Sequence, residues 1–133
     1  MIGYVTLGTN DPERALPFYD VLLAEVGAKR VMEFPEGSFT MYGTSWDQPG
    51  LVVTRPHNGE AATAGNGNMT ALAVNSRDEV DRVHARALGL GGSDEGQPGL
   101  RGPEEMGFYA AYFRDLEGNK LAVFNVPMPA EPT

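Results

Sequence analysis

Apolar residues recur along this chain in two alternating periods, and the alternation happens twice. Met1–Gly8 is a short Val/Leu-bearing run that stops at Thr9-Asn10-Asp11-Pro12, which reads as a strand giving way to a helix. Asp11 suits the N-cap, Pro12 the first helical position and Glu13 the first turn. Ala15, Phe18, Tyr19, Leu22, Leu23 and Val26 then fall on one face at helical spacing, with Gly27 as the stop. Pro17 conflicts with that helix, because an interior proline removes a backbone hydrogen bond, and predicts a bend or a delayed start. Three extended runs follow, Lys29–Phe34, Ser38–Gly43 and Leu51–Arg55, separated by the turn sequences Pro35-Glu36-Gly37 and Asp47-Gln48-Pro49-Gly50.

After a Gly/Ala/Asn-rich connection the same order returns. Met69–Val74 reads as a strand, and Ser76-Arg77-Asp78-Glu79 is a capping box. Val80, Val83, His84, Ala87 and Leu88 make a second helical stripe ending in Gly89–Gly92. Strands are then expected at Gly91–Glu95, Phe108–Arg114 and Asn119–Val126. A shift of about 65 residues sets Leu7 on Leu72, Asn10 on Asn75, Tyr19 on His84, Leu23 on Leu88 and Gly27 on Gly92. Strand, cap, stripe and stop share one register, so the chain reads as two β-α-β-β-β modules sharing one sheet system. Their expected bounds within the single 1–133 domain are about 1–60 and 69–127, with a connecting loop at 57–68.

Composition narrows the function classes. The absence of Cys removes disulfides, thiolate metal sites and Cys nucleophiles, and two His leave little for a His-rich metal centre. Eighteen acidic against ten basic residues give a net charge of −8, divided equally between the halves, which argues against nucleic acid. No run is long and apolar enough for a membrane span and no export signal is visible, so a cytoplasmic protein is expected. Neither a Ser/His/Asp arrangement nor a phosphate-cradling or dinucleotide fingerprint is present. His84, on the apolar stripe, reads as a core side chain, His57 as a solvated loop residue, and Glu104 and Glu105 as solvated acids in a loop that could cover a cleft mouth.

The opening run YVTLGTNDPERALPFY from Tyr4 to Tyr19 resembles the start of the vicinal oxygen chelate superfamily, which includes glyoxalase I, extradiol dioxygenases and bleomycin-resistance proteins. The closing run FYAAYFRDLEGNKL from Phe108 to Leu121 is similar to its final hairpin, with Asp115-Leu116-Glu117-Gly118 in place of the usual Asp-Pro-Asp-Gly turn. The stretch from Gly65 to Arg101 is similar to uncharacterised glyoxalase-like members. The resemblance implies an α+β fold in which the two modules build a cup-shaped eight-stranded mixed sheet, and a homodimer. In metal-dependent members, four His or Glu ligands from equivalent strands hold a divalent ion. Those positions align here with Tyr4, Val52, Met69 and Ala122, whose side chains cannot make an oxygen/nitrogen cage. No metal or other cofactor is therefore expected.

Strand alternation then sorts the cleft. If Val5, Leu7, Leu72 and Val74 pack under the helices, Tyr4, Thr6, Met69 and Ala71 face the other way, joined by Val52, Thr54, Ala122 and Phe124. Tyr112 precedes Ala122 at the spacing extradiol dioxygenases use between an active-site Tyr and a Glu ligand, and a shift of about 70 residues sets Tyr42 on Tyr112. Two phenols are therefore expected to face one cavity, with Trp46, Arg55 and Arg101 on its rim. Phenols with an ordinary pKa of about 10 donate hydrogen bonds but are poor bases at neutral pH, so Tyr42 and Tyr112 are the candidates for any catalytic role without defining one. The expected function is metal-independent binding of a small molecule, as in bleomycin-resistance proteins. The alternative is a lyase, isomerase or dioxygenase of the same superfamily, with Zn, Ni, Fe or Mn at a non-standard site or with an acid/base site.

Overall fold

The computed structural model describes residues 1–35 and 38–127. Strand β1 (Tyr4–Gly8) turns into helix α1 (Pro12–Ala24) at Asp11, whose carboxylate accepts the Arg14 backbone N–H at 3.3 Å. The helix runs through Pro17, which lies on its exposed side, so the proline neither delays nor ends it. Gly27, at φ 78°, reverses the chain, and the Ala28 N–H closes back onto the Leu23 carbonyl at 2.9 Å. Strands β2 (Lys29–Phe34), β3 (Phe39–Gly43) and β4 (Gly50–Thr54) complete the first module. The turn expected at Pro35-Glu36-Gly37 lies partly outside the described residues.

The second module repeats the order with β5 (Thr70–Ala73), α2 (Arg77–Gly89), β6 (Ser93–Leu100), β7 (Tyr109–Arg114) and β8 (Lys120–Asn125). The Ser76 hydroxyl caps α2 by accepting the Glu79 N–H at 3.2 Å. Strand β6 extends well past the expected Gly91–Glu95. Its Gly96-Gln97-Pro98-Gly99 stretch is tolerated because β6 is an edge strand whose pairing with β7 is irregular on both sides of Gly96.

The expected single cup-shaped eight-stranded sheet is not formed. There are two separate four-stranded sheets, ordered β1-β4-β3-β2 and β5-β8-β7-β6, each with one parallel pair (β1 with β4, β5 with β8) and antiparallel pairs elsewhere. Strands β1 and β5 are both edges, and no ladder joins them among the described residues. The modules meet through their apolar faces instead. One cluster runs from Leu22 and Leu23 of α1 through Val80, Val83 and Ala87 of α2 to Phe113, Leu121 and Val123. Burying each large side chain there contributes about 1.5–3 kcal/mol. Polar clasps align the halves: Tyr19 donates to Asp115 at 2.5 Å, Thr9 to Glu117 at 2.8 Å, and Asn119 Nδ2 to the Gly8 carbonyl at 3.0 Å. Among the described residues no helix is long and apolar enough to cross a membrane.

Candidate functional site

Alternation along each strand sends one set of residues toward the helices and leaves the other on an outer sheet face. Tyr42, Leu51 and Val53 in the first sheet, and Ala111, Phe113, Leu121 and Val123 in the second, are buried in the shared core. The outer faces follow from the pairing register. Thr6, Val52, Met41 and Met32 form one cross-strand row of the first sheet. Ala71, Ala122, Tyr112 and Gly96 form the equivalent row of the second.

On the first face the side chains cover their own floor. Tyr4 and Phe39 meet edge to face with 6.3 Å between ring centroids, and Phe34 leans on Phe39 at 5.2 Å. Val52, in the row between Tyr4 and Phe39, is 0% exposed. Met41 lies over Gly50, where an added Cβ would stand 3.0 Å from Met41 Cγ. Thr54 Oγ1 donates to the Ser38 carbonyl.

The second face is built differently. Its floor is alanine: Ala71 and Ala73 are exposed, and Ala110 and Ala122 are recessed. Phe108 stacks on Phe124 at 5.4 Å on one side of this floor. Tyr112 carries the Arg101 guanidinium 5.4 Å and the Lys120 ammonium 5.6 Å from its ring centroid. Arg114, two residues along β7 on the same face, is ion-paired with Glu95 and donates to the Gly118 carbonyl at 2.8 Å.

Tyr42 does not share a face with Tyr112. The register sets Met41 opposite Val52 as Tyr112 stands opposite Ala122, so the expected correspondence is one residue out of step, and one residue in a strand reverses the side chain. Tyr42 is 1% exposed and donates to Asp20 Oδ1 at 2.7 Å. Burial, then the neighbouring Asp20 carboxylate, push its hydroxyl well above the ordinary tyrosine range. Asp20 titrates low: burial opposes its charge, and hydrogen bonds from Arg30 and Tyr42 outweigh that opposition.

Several cavities lie around this framework. One of about 610 Å³ lies between the C-terminal part of α1 and the β5 edge, is lined mostly by apolar atoms, and brings Tyr42 and Met69 together with Val5, Leu23, Val26 and Leu72. Another, of about 350 Å³, brings Thr6 and Met69 together with Asn68, Asn119 and Lys120. A third, of about 500 Å³, is lined by residues 64–69, Arg114 and Lys120. Trp46 is exposed in the β3–β4 connection, and Arg55 is spent on the Asn10 carbonyl at 2.9 Å. His84 is buried with Nε2 2.9 Å from Asp94, while His57, Glu104 and Glu105 are exposed. Phe39, Met41, Phe108, Arg114 and Lys120 were missed as outer-face residues. Counting by twos from Tyr112 and Ala122 finds Phe108, Arg114 and Lys120, whereas Phe39 and Met41 lie on β3, where the one-residue offset at Tyr42 hides them.

Val52 and Ala122 are buried hydrocarbon, Met69 offers a thioether and Tyr4 a phenol, so these four positions do not suit a divalent cation. Among the described residues no three His, Asp or Glu side chains are grouped to hold one elsewhere.

A family model described as the Glyoxalase/Bleomycin resistance protein/Dioxygenase superfamily matches residues 1–123. A glyoxalase/bleomycin resistance protein from Albidiferax ferrireducens T118 has a similar structure, with 34% identity, a TM-score of 0.83, and coverage of 96% of this chain and 99% of that one. Two more distant structures share the fold. A glyoxalase-related enzyme from Fulvimarina pelagi has 20% identity, TM-score 0.72, and 100% and 95% coverage. A lactoylglutathione lyase from Agrobacterium tumefaciens has 23% identity, TM-score 0.65, and 94% and 92% coverage. No curated protein matches the chain.

Proposed function

From a chain that belongs to the glyoxalase/bleomycin resistance protein/dioxygenase superfamily, we propose a protein that binds a small organic molecule in an aromatic pocket without the divalent metal used elsewhere in the superfamily. The observation that carries this reading is the make-up of the four positions aligned with the metal ligands, which are two buried aliphatic side chains, a thioether and a phenol. A cation there would lose its hydration shell and gain almost no donors in exchange. Beside one of those positions, Ala122, stand Tyr112 and the Phe108–Phe124 stack on an alanine floor, which suits an apolar ligand with a few polar atoms.

The binding form is a homodimer. Tyr4 and Met69, at the unpaired β1 and β5 edges, are 53% and 48% exposed, and Met1 and Ile2 add apolar surface beside them. Exposed edges with apolar side chains are favourable places for a second copy to dock.

Native mass spectrometry of the protein as purified, with elemental analysis of the same sample, tests both statements. The expected result is a dimer carrying a small organic molecule at substoichiometric or full occupancy and no stoichiometric metal. Stoichiometric Zn, Ni, Fe or Mn overturns the metal-independent reading and favours a lyase, isomerase or dioxygenase.

A further inference from the structure

We propose that the outer face of the second sheet is an anion subsite: Arg101 and Lys120 receive the negatively charged group of a small planar acid, whose apolar body lies on the alanine floor beside Tyr112. The proposal rests on the small-molecule reading above and names the chemical class of the ligand.

Three observations carry it. The first is convergence. Lys120 opens β8 and Arg101 follows β6, the two strands on either side of β7, and both cations come within 6 Å of the one ring that β7 places between them. The second is that Arg101 has a built seat. An added Cβ at Gly96 would stand 2.9 Å from Tyr112 Cδ2 and 3.3 Å from Arg101 Nη2, and one at Gly99 would stand 3.1 Å from Nη1. The guanidinium is steadied by donating to the Gln97 carbonyl at 2.6 Å, a neutral partner that leaves its charge uncompensated. The third is the pattern of ion pairs. In a chain of net charge −8, Arg14, Arg30, Arg82, Arg86 and Arg114 each meet a carboxylate. Among the described residues, Arg101 and Lys120 meet none within 4.0 Å, which is equally true of Lys29, Arg55 and Arg77, but of these five cations Arg101 and Lys120 are the two that share one aromatic ring.

The chemistry follows from the geometry. A cation resting on a ring face keeps its edge free, and a guanidinium edge takes two oxygens of a carboxylate or phosphate in parallel hydrogen bonds. Lys120 also lines two cavities, of about 500 and 350 Å³, together with Asn68, whose side-chain amide can meet a further polar atom of the ligand. The pair is not a product of the fold: the first sheet has Gly50 where the second has Lys120, and Met41 where it has Tyr112. An acidic protein attracts cations over most of its surface, so an uncompensated basic pair on an aromatic face selects against that background.

The test uses four probes on the full-length protein, with binding followed by NMR shifts of the Ala71, Ala110, Ala122 and Tyr112 signals: 2-naphthoate, 2-naphthamide, 2-naphthylmethylammonium and inorganic phosphate. The expected order is naphthoate tightest, at least about tenfold ahead of the isosteric amide, a gap that would come from charge-assisted hydrogen bonds. Arg101→Gln and Lys120→Met should each remove most of that gap while weakening the amide far less, and residual binding of the amide shows that the variants are folded. If amide or ammonium binds as well as naphthoate, the anion subsite is wrong and the small-molecule face survives. Phosphate binding as tightly as naphthoate removes the planar apolar body from the proposal. Shifts from none of the probes at this face sink both the subsite and the reading beneath it.

Discussion

The two sheets have the same strand order, the same pairing and the same register, and their outer faces have opposite characters. In the first, Tyr4, Phe34, Phe39 and Met41 fold over their own floor and bury Val52 completely. In the second the matching row is alanine, tyrosine and glycine, with Tyr112 in place of Met41 and Lys120 in place of Gly50. A repeated backbone fixes where side chains point, and side-chain volume and charge then decide whether a face becomes packing or a site. The turns differ in the same way. The Asp115–Gly118 turn of the second module reaches back and clasps the first, while the β3–β4 connection around Asp47 stands in solvent.

The largest effect should come from breaking that clasp. Asp115 is 7% exposed and accepts from Tyr19 Oη at 2.5 Å, from the backbone N–H groups of Glu117 and Asn119 at 2.9 Å, and from Asn119 Nδ2 at 3.0 Å. Asp115→Ala strands a buried phenol and empties the turn, and should cost about 3 kcal/mol in urea unfolding. Asp47→Ala, at the exposed counterpart, should leave the urea midpoint where it is. Equal losses in the two variants would erase the distinction between a structural turn and a free one.

Next is the contrast between a filled and an open face. Val52→Ala removes a fully buried side chain and should cost about 2 kcal/mol. Ala71→Leu, at the equivalent row of the second sheet, adds bulk where there is room and should change stability by less than about 0.5 kcal/mol. The same change should weaken 2-naphthoate binding about tenfold by filling the floor, an expectation tied to the proposed subsite. A folded Ala71→Leu protein that binds the acid normally would move the ligand off this face.

Much of this was readable before the structure. The Asp11 and Ser76 caps, the Gly27 stop and both apolar stripes are local signals, and local physics sets them. Two things were not legible. Sheet membership depends on whether β1 and β5 bond to each other or remain edges, and that is decided by how the helices pack, which no strand sequence records. The face of Tyr42 depended on a register known to within one residue, and one residue is the whole difference between core and cleft. Alternation from Tyr112 and Ala122 could have found Arg114 and Lys120, but not that Lys120 shares Tyr112 with Arg101, since Gly96 and Gly99 look like loop residues until β6 brings them beside the ring.

A smaller effect probes the inter-module clasp through pH. Glu117 accepts from Thr9 Oγ1 at 2.8 Å and from the Asn10 N–H at 2.9 Å. Burial works against its charge, but these hydrogen bonds and the nearby Arg14 outweigh it, so the carboxyl titrates below its ordinary 4.5. A depressed folded pKa contributes stability that is present above pH 4.5 and lost as the pH falls through the folded value. Glu117→Gln should therefore be about 1.5 kcal/mol less stable than the parent at pH 7, solvent screening included. The gap should close as the pH drops below 4.5. Among the described residues no hydrogen bond returns from residues 44–49 to 74–77, so Gln48→Ala should show no such pH-dependent gap.

The finest test separates the two tyrosines that the sequence paired. Tyr42→Phe removes one hydrogen bond to Asp20, which keeps Arg30, and should cost about 0.5–1 kcal/mol at pH 7. Because burial and then Asp20 raise the Tyr42 pKa above 10.0, its contribution is complete below pH 10.0 and is lost as the pH climbs through the folded value. The cost of Tyr42→Phe should therefore shrink in alkali, while its affinity for 2-naphthoate stays at the parent value. Tyr112→Phe keeps the ring under Arg101 and Lys120, and the Tyr112 hydroxyl has no hydrogen-bond partner among the described residues, so its urea midpoint at pH 7 should not move. Tyr112→Ala removes the ring itself, and it should weaken naphthoate binding with little effect on folding, because the residue is only half-buried on an outer face. A Tyr112→Phe protein as destabilised as Tyr42→Phe would mean that the second face is packed as tightly as the first, and the difference between the modules would then lie in composition alone.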